Sequence, residues 1–272
     1  MSTAIKGYAH GNRGAGIRNY QLILPSVICS THVARRIATE MGGVTFAHQH
    51  GCGIIGEDVA GIDNFFIDLA DHPNVNSVLV IALGCETIQG QELAAKLLKS
   101  NESTQYRIIQ ESGGVSGTVD AGVKAAKELN AAFPPAPAEL TSLRIGIDNG
   151  RGYAGVAALQ KLLEGAGHTV LISESTSSSA ESFSRLAQEK AHIVISFPNE
   201  MQPPSGFPLM PVINVASSGA LHQAILADFD ITEANLESGI LELIESVASG
   251  AETIAERNRS GEIRAPRVVR SV

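Results

Sequence analysis

The chain has 272 residues, with 20 Lys plus Arg against 28 Asp plus Glu, a net charge of −8. At 44% apolar and 18% charged residues it can bury a core, which excludes a disordered chain, and the acid excess argues against nucleic acid as a partner. No apolar run reaches membrane-span length, so no membrane partner is expected, and the opening MSTAIKGYAHGNRG lacks a leader-type stretch.

The periodicity alternates between strand and helix. Gln21–Ile28 reads as a buried strand, then a helix through Val33–Met41, a strand Val44–His48 and a helix around Ile62–Leu69. Ser77–Leu83 is apolar and β-branched, bounded by Asn76 and Gly84, and is the clearest strand. A helix Gln89–Lys99, a strand Tyr106–Gln110 and a helix Val115–Leu129 follow. AAFPPAPAEL (131–140) carries three prolines in four positions and is expected to be a linker. Beyond it the style repeats: strand Leu143–Asp148, helix Ala154–Leu163, strand Thr169–Ser173, a polar serine loop at Ser175–Ser179, strands Ile193–Phe197 and Pro211–Asn214, and an amphipathic helix through Leu236, Ile240, Leu243, Ile244 and Val247. Continuous apolar strands between helices imply an α/β fold with mainly parallel sheets. The expectation is two Rossmann-like lobes with a cleft between them: 1–132, a linker 133–141, and 142–272.

In such sheets chemistry sits beyond the carboxyl ends of the strands. All three cysteines fall there: Cys29 ends the first strand, Cys52 follows the second and Cys85 the third. Their odd number and the missing leader point to free thiols in a reducing cytoplasm. His48, His50 and Glu86 stand beside them, and such a mixed donor set suits iron, zinc or manganese. The alternative is that each cysteine is a small buried hydrophobe. Gly51–Gly56 matches a GxGxxG phosphate loop, but the acidic residue such a loop needs is missing: Asp71 has the spacing and stands at a helix end before Pro73. Gly11–Asn19 combines flexible glycines with Arg13 and Arg18, whose forks can hold a carboxylate; the alternative is a solvated loop. Gln110–Gly114 opens a helix, where exposed N–H groups favour an anion.

Taken together, RGAGIRNYQLILPSVICS, FAHQHGCG, VLVIALGCETIQ and IIQESGG, in that order, resemble the catalytic part of the altronate/galactarate dehydratase family. The resemblance covers most of residues 5–130 and returns in the segment AHIVISFPNEMQPPSGFPLM. Asp148-Asn149-Gly150 stands where the family pattern has Cys-Gly-Gly, a long Asn-Pro-rich insertion is missing, and so is the small N-terminal domain of fused members. The family likeness implies a hydro-lyase that removes water from a 2,3-dihydroxy sugar acid to give a 2-keto-3-deoxy acid, with Fe²⁺ or Mn²⁺. By motif position it places Cys52, Cys85 and His48 at the metal with Cys29 close by, Glu86, His48 and His50 in catalysis, and Arg13, Arg18, Asn19, Gln89, Gln110, Gly113 and Gly114 on the substrate. Open alternatives are a [4Fe-4S] cluster on Cys29, Cys52 and Cys85, a sulfo-lyase on a sulfolactate-like acid, a Cys-dependent hydrolase, and a non-catalytic subunit of a split enzyme. A small partner subunit and a homo-oligomer are the expected protein partners.

Overall fold

A computed structural model describes residues 5–48, 52–173, 178–261 and 263–265. In chain order the elements are β1 (Ile5–Ala9), β2 (Ala15–Gly16), β3 (Tyr20–Pro25), α1 (Thr31–Met41), α2 (Glu57–Ala70), β4 (Val75–Ala82), α3 (Gly90–Leu97), β5 (Thr104–Ile108) and α4 (Gly114–Ala132). They continue with β6 (Pro137–Leu140), β7 (Arg144–Asp148), α5 (Val156–Gly165), β8 (Thr169–Ser173), α6 (Ser179–Gln188), β9 (Ile193–Ser196), β10 (Val212–Ala216), α7 (Ala220–Ala224), β11 (Ile231–Thr232), α8 (Glu233–Ala248) and α9 (Ile254–Arg257). The fold is α/β with parallel sheets. None of the described helices is long and apolar enough to cross a membrane.

The chain forms two compact units, and both are discontinuous. One comprises His10–Gly14, Asn19–Ala136 and Ile263–Val272; the other comprises Met1–Ala9, Ala15–Arg18 and Pro137–Glu262. The expected lobe 1–132 includes β1 and β2, which group here with Pro137–Glu262.

In the first unit β3, β4 and β5 pair in parallel, in that order. Every residue of β4 is buried, so VNSVLVIA reads as continuous rather than alternating. Ile23, Leu79 and Ile81 face Val33, Ala34 and Ile37 of α1 and Val119, Val123 and Ala126 of α4. Helices α2 and α3 pack against each other and on β4. The strand expected at Val44–His48 shrinks to one bridge, Leu22 to Val44, because its side chains turn into other bonds beyond that point.

In the other unit the parallel order is β11-β10-β9-β7-β8. Ile145, Ile147, Ile193 and Ile195 form one core with Leu159 and Leu163 of α5 and Ile240 and Ile244 of α8. Gly146 faces Leu186 of α6 on the opposite side, so both faces are covered. The expected linker is corrected here: Pro137–Leu140 is a strand, antiparallel to β1. Proline is tolerated because Pro137 is the first residue of an edge strand, where its missing N–H breaks no ladder. Of the polar loop expected at Ser175–Ser179, residues 175–177 lie outside the described residues; Ser178 accepts from the backbone N–H of Glu181 and caps α6, which starts at Ser179.

Candidate functional site

The carboxyl ends of the first unit's strands line up, with Pro25 beside Ile81 and Ala82 beside Ile108. After β3 the chain makes a 3-10 turn, Ile28–Ser30, closed by Ser30 Oγ on the Val27 carbonyl at 2.8 Å. That turn holds Cys29 in solvent at the head of α1. After β4, Gly84 adopts φ +118°, a backbone that favours glycine, and a Cβ there would stand 2.6 Å from Gln110 Oε1. Glu86 then folds back and is only 2% exposed. It accepts from Ser26 Oγ (3.0 Å), the Leu83 N–H (3.3 Å) and the Gly84 N–H (2.6 Å). One buried carboxylate thus ties the turn after β3 to the turn after β4 and presents Cys85 to solvent.

The third thiol arrives from the segment after α1. Thr45 Oγ1 donates to the Ile23 carbonyl at 2.7 Å, and Phe46 and His48 turn inward. His48 Nε2 lies 2.7 Å from the Pro25 carbonyl, which can only accept, so this nitrogen carries the proton. The ring packs edge-on against Phe66, centroids 5.1 Å apart. Four residues later Cys52 is exposed. Its thiol pKa is pushed up, first by partial loss of water and then by Cys29, Cys85 and Glu86, with the Cys29 side chain in hydrogen-bonding range. The fold therefore brings Cys29, Cys52, Cys85 and Glu86 to one sheet edge. The thiols are close enough to interact, yet among the described residues no three His, Cys, Asp or Glu side chains already form a ligand set. His50, named for catalysis, lies outside the described residues.

Gln89, Gln110, Gly113 and Gly114 share this edge. Gln89 Nε2 donates to the Glu86 carbonyl, Gln110 covers Gly84, and Gly113 and Gly114 take φ +76° and +79° where α4 begins. The structure does not bring Arg13, Asn19 and Arg18 to this edge. Arg13 donates to the carbonyls of Val75 (2.5 Å) and Asn76 (2.9 Å), at the amino end of β4. Eight residues at strand rise put that end roughly 25 Å from the thiols. Burial lowers the Arg13 pKa to about 10, against the opposing charge of Asp71. Asn19 is held at the same amino edge, its Oδ1 3.0 Å from His10 Nε2. Arg18 belongs to the other unit. It donates to both Glu256 oxygens (2.8 and 3.0 Å) and to the carbonyls of Ile17, Val247 and Ala251, which occupies all five of its N–H donors.

Residues 7–133 match the family model described as "D-galactarate dehydratase/Altronate hydrolase, second domain". The match covers just under half of the chain. Altronate dehydratase from Bacillus subtilis (strain 168) is 30% identical over 171 residues, covering 56% of this chain and 34% of the relative. Altronate dehydratase from Escherichia coli (strain K12) is 28% identical over 168 residues, covering 56% and 33%. The chain thus spans about a third of the length of these dehydratases. The family match contains the whole thiol edge of β3 and β4. It also contains a residue that the sequence reading passes over: Ser26, whose hydroxyl holds Glu86. The one available signal is its place directly after an apolar strand, in PSVICS.

Proposed function

We propose that this chain carries the thiol-bearing part of a sugar-acid dehydratase, which removes water from a 2,3-dihydroxy acid to give a 2-keto-3-deoxy acid. The observation that supports it is the gathering of Cys29, Cys52, Cys85 and Glu86 at one sheet edge inside the segment that matches the dehydratase family.

The donors at this edge are chiefly thiols. His48 commits Nε2 to a carbonyl, and Glu86 is engaged by three donors. A thiol-dominated set suits iron, and three cysteines match a cluster with one open iron better than they match Mn²⁺, which prefers oxygen ligands. Cys29, Cys52 and Cys85 would hold it. When bound, iron supplies Lewis acidity toward the substrate's carboxylate and leaving hydroxyl.

The chain's own groups do the rest. A carboxylate has roughly four lone-pair sites, and three donors leave Glu86 one, on Oε2. Glu86 takes the proton from the carbon next to the substrate carboxylate and hands it to the hydroxyl on the next carbon, which departs as water and leaves Glu86 ionised again. The resulting enol becomes the ketone by moving its own proton to carbon. His48 is a positioning residue, because its bond to Pro25 ties the segment before Cys52 to the end of β3.

The test is iron and acid-labile sulfide content after oxygen-free purification, followed by a panel of sugar acids. Wild-type protein should hold iron. Cys52→Ser should lose most of it, with at least a tenfold loss of turnover, while its circular dichroism stays unchanged. Full iron content and full turnover in Cys52→Ser would overturn the reading.

A further inference from the structure

The winding of the other unit's parallel sheet reverses at β7, from which the chain moves to β8 on one side and then to β9 on the other. Open α/β sheets bind ligands beyond the carboxyl ends of the strands at such a reversal. Here the last residues of three strands stand in register: Asp148 of β7, Ser173 of β8 and Ser196 of β9.

Asp148 is fully buried. Ser196 Oγ donates to its Oδ2 at 2.8 Å, while its Oδ1 has no hydrogen-bond partner among the described residues. The buried hydroxyls of Ser173 and Ser182 also have no partner among the described residues. Ser179 and Ser182, on α6, are near enough to act on the Asp148 carboxylate, although Ser182 does not reach it with hydrogen-bond geometry. Asp148 forms no ion pair among the described residues. The neighbouring cation, Arg151, is turned to the carbonyls of Pro198 and Val215 and to Glu233.

Gly150 shows where a ligand would stand. A Cβ on it would lie 3.4 Å from the Phe197 carbonyl oxygen and 3.9 Å from both Asp148 Oδ1 and Ser179 Oγ. All three neighbours are oxygens. A buried carboxylate without a counter-charge is costly, and a set of one carboxylate, one carbonyl and hydroxyls is what hard divalent cations take. We propose that Asp148, Ser179 and the Phe197 carbonyl, with Ser182 beside them, form a site for a hard divalent cation of the Mg²⁺ type. The site is separate from the thiol edge in both residues and ligand class.

Two variants test it. Gly150→Ala puts a methyl group among the three oxygens at ordinary contact distances, with no left-handed backbone to strain, so it should fold. Asp148→Asn keeps the shape and removes the charge. Metal-free protein is titrated with Mg²⁺, Mn²⁺ and Ca²⁺ by calorimetry and by thermal melting. The expected result is one saturable equivalent and a rise in Tm for wild type, at least tenfold weaker binding in both variants, and unchanged binding in Cys52→Ser. Absence of saturable binding, or binding that both variants leave intact, would overturn the proposal. So would loss in Cys52→Ser alone, which would assign the cation to the thiols. Failure here would leave the dehydratase reading untouched, because the iron measurement depends on other residues.

Discussion

Arg18 shows how far a residue's chemistry can be read without its partners. Its fork matches a substrate carboxylate, and it does hold one, but that carboxylate is Glu256, and its remaining donors go to three main-chain carbonyls. Breaking a largely buried pair of this kind costs about 3–5 kcal/mol, because the surviving charge is left without its partner. Arg18→Met should therefore lower the unfolding free energy in urea by that amount while iron content per folded molecule stays at the wild-type level. A loss of iron at unchanged stability would return Arg18 to the substrate. The residue types at the site are legible in the sequence, since a thiol or carboxylate just past a buried strand has few structural uses. What each arginine bonds to is not legible, because main-chain carbonyls accept from the same fork as a ligand does and leave no mark in the sequence.

At the scale of elements, legibility follows burial. β4 is buried throughout and is plain from its unbroken apolar run. β6 is hidden by Pro137 and the two prolines just before it, and the segment through Val44–His48 resembles a strand because Phe46 and His48 turn inward without a ladder. The glycines of the helices carry information that periodicity does not. A Cβ on Gly90 would stand 2.3 Å from the Ala82 Cβ and 3.6 Å from Glu86 Oε1, so α3 rests directly on β4 beside the site. Gly90→Val should cost about 1–3 kcal/mol by overpacking and also displace Glu86, lowering iron content. Gly61, exposed in α2, meets nothing within 4 Å. Gly61→Ala should stabilise by about 0.5–1 kcal/mol through helix propensity. Equal urea midpoints for the two variants would contradict this packing of α3 on β4.

For the whole molecule, the discontinuous units are out of reach of local patterning, because β1 pairs with β6 across more than a hundred residues and each partner alone is a short strand. The buried histidines lead to a prediction at this scale. His192 accepts from the Arg144 N–H at 2.9 Å through Nδ1 and contacts the Ala15 carbonyl at 3.1 Å through Nε2, a pairing that needs the neutral ring. Burial lowers its pKa, with the Arg144 charge adding to the effect, and burial lowers those of His10 and His168 as well. Below the ordinary histidine pKa of about 6.5 the unfolded chain therefore binds more protons than the folded one, and stability is lost as pH falls. Asp148 and Asp230 act in the opposite sense: burial raises their pKa values, so the folded state holds protons that the unfolded chain has released, and their contribution is lost as pH rises from about 3.8. The Tm should thus be flat above about pH 7.5 and fall as pH drops through about 6.5, and His192→Gln should make that fall shallower. A Tm that holds constant from about pH 7.5 to about 5, or a slope that His192→Gln leaves unchanged, would mean that these rings are not kept neutral by the fold.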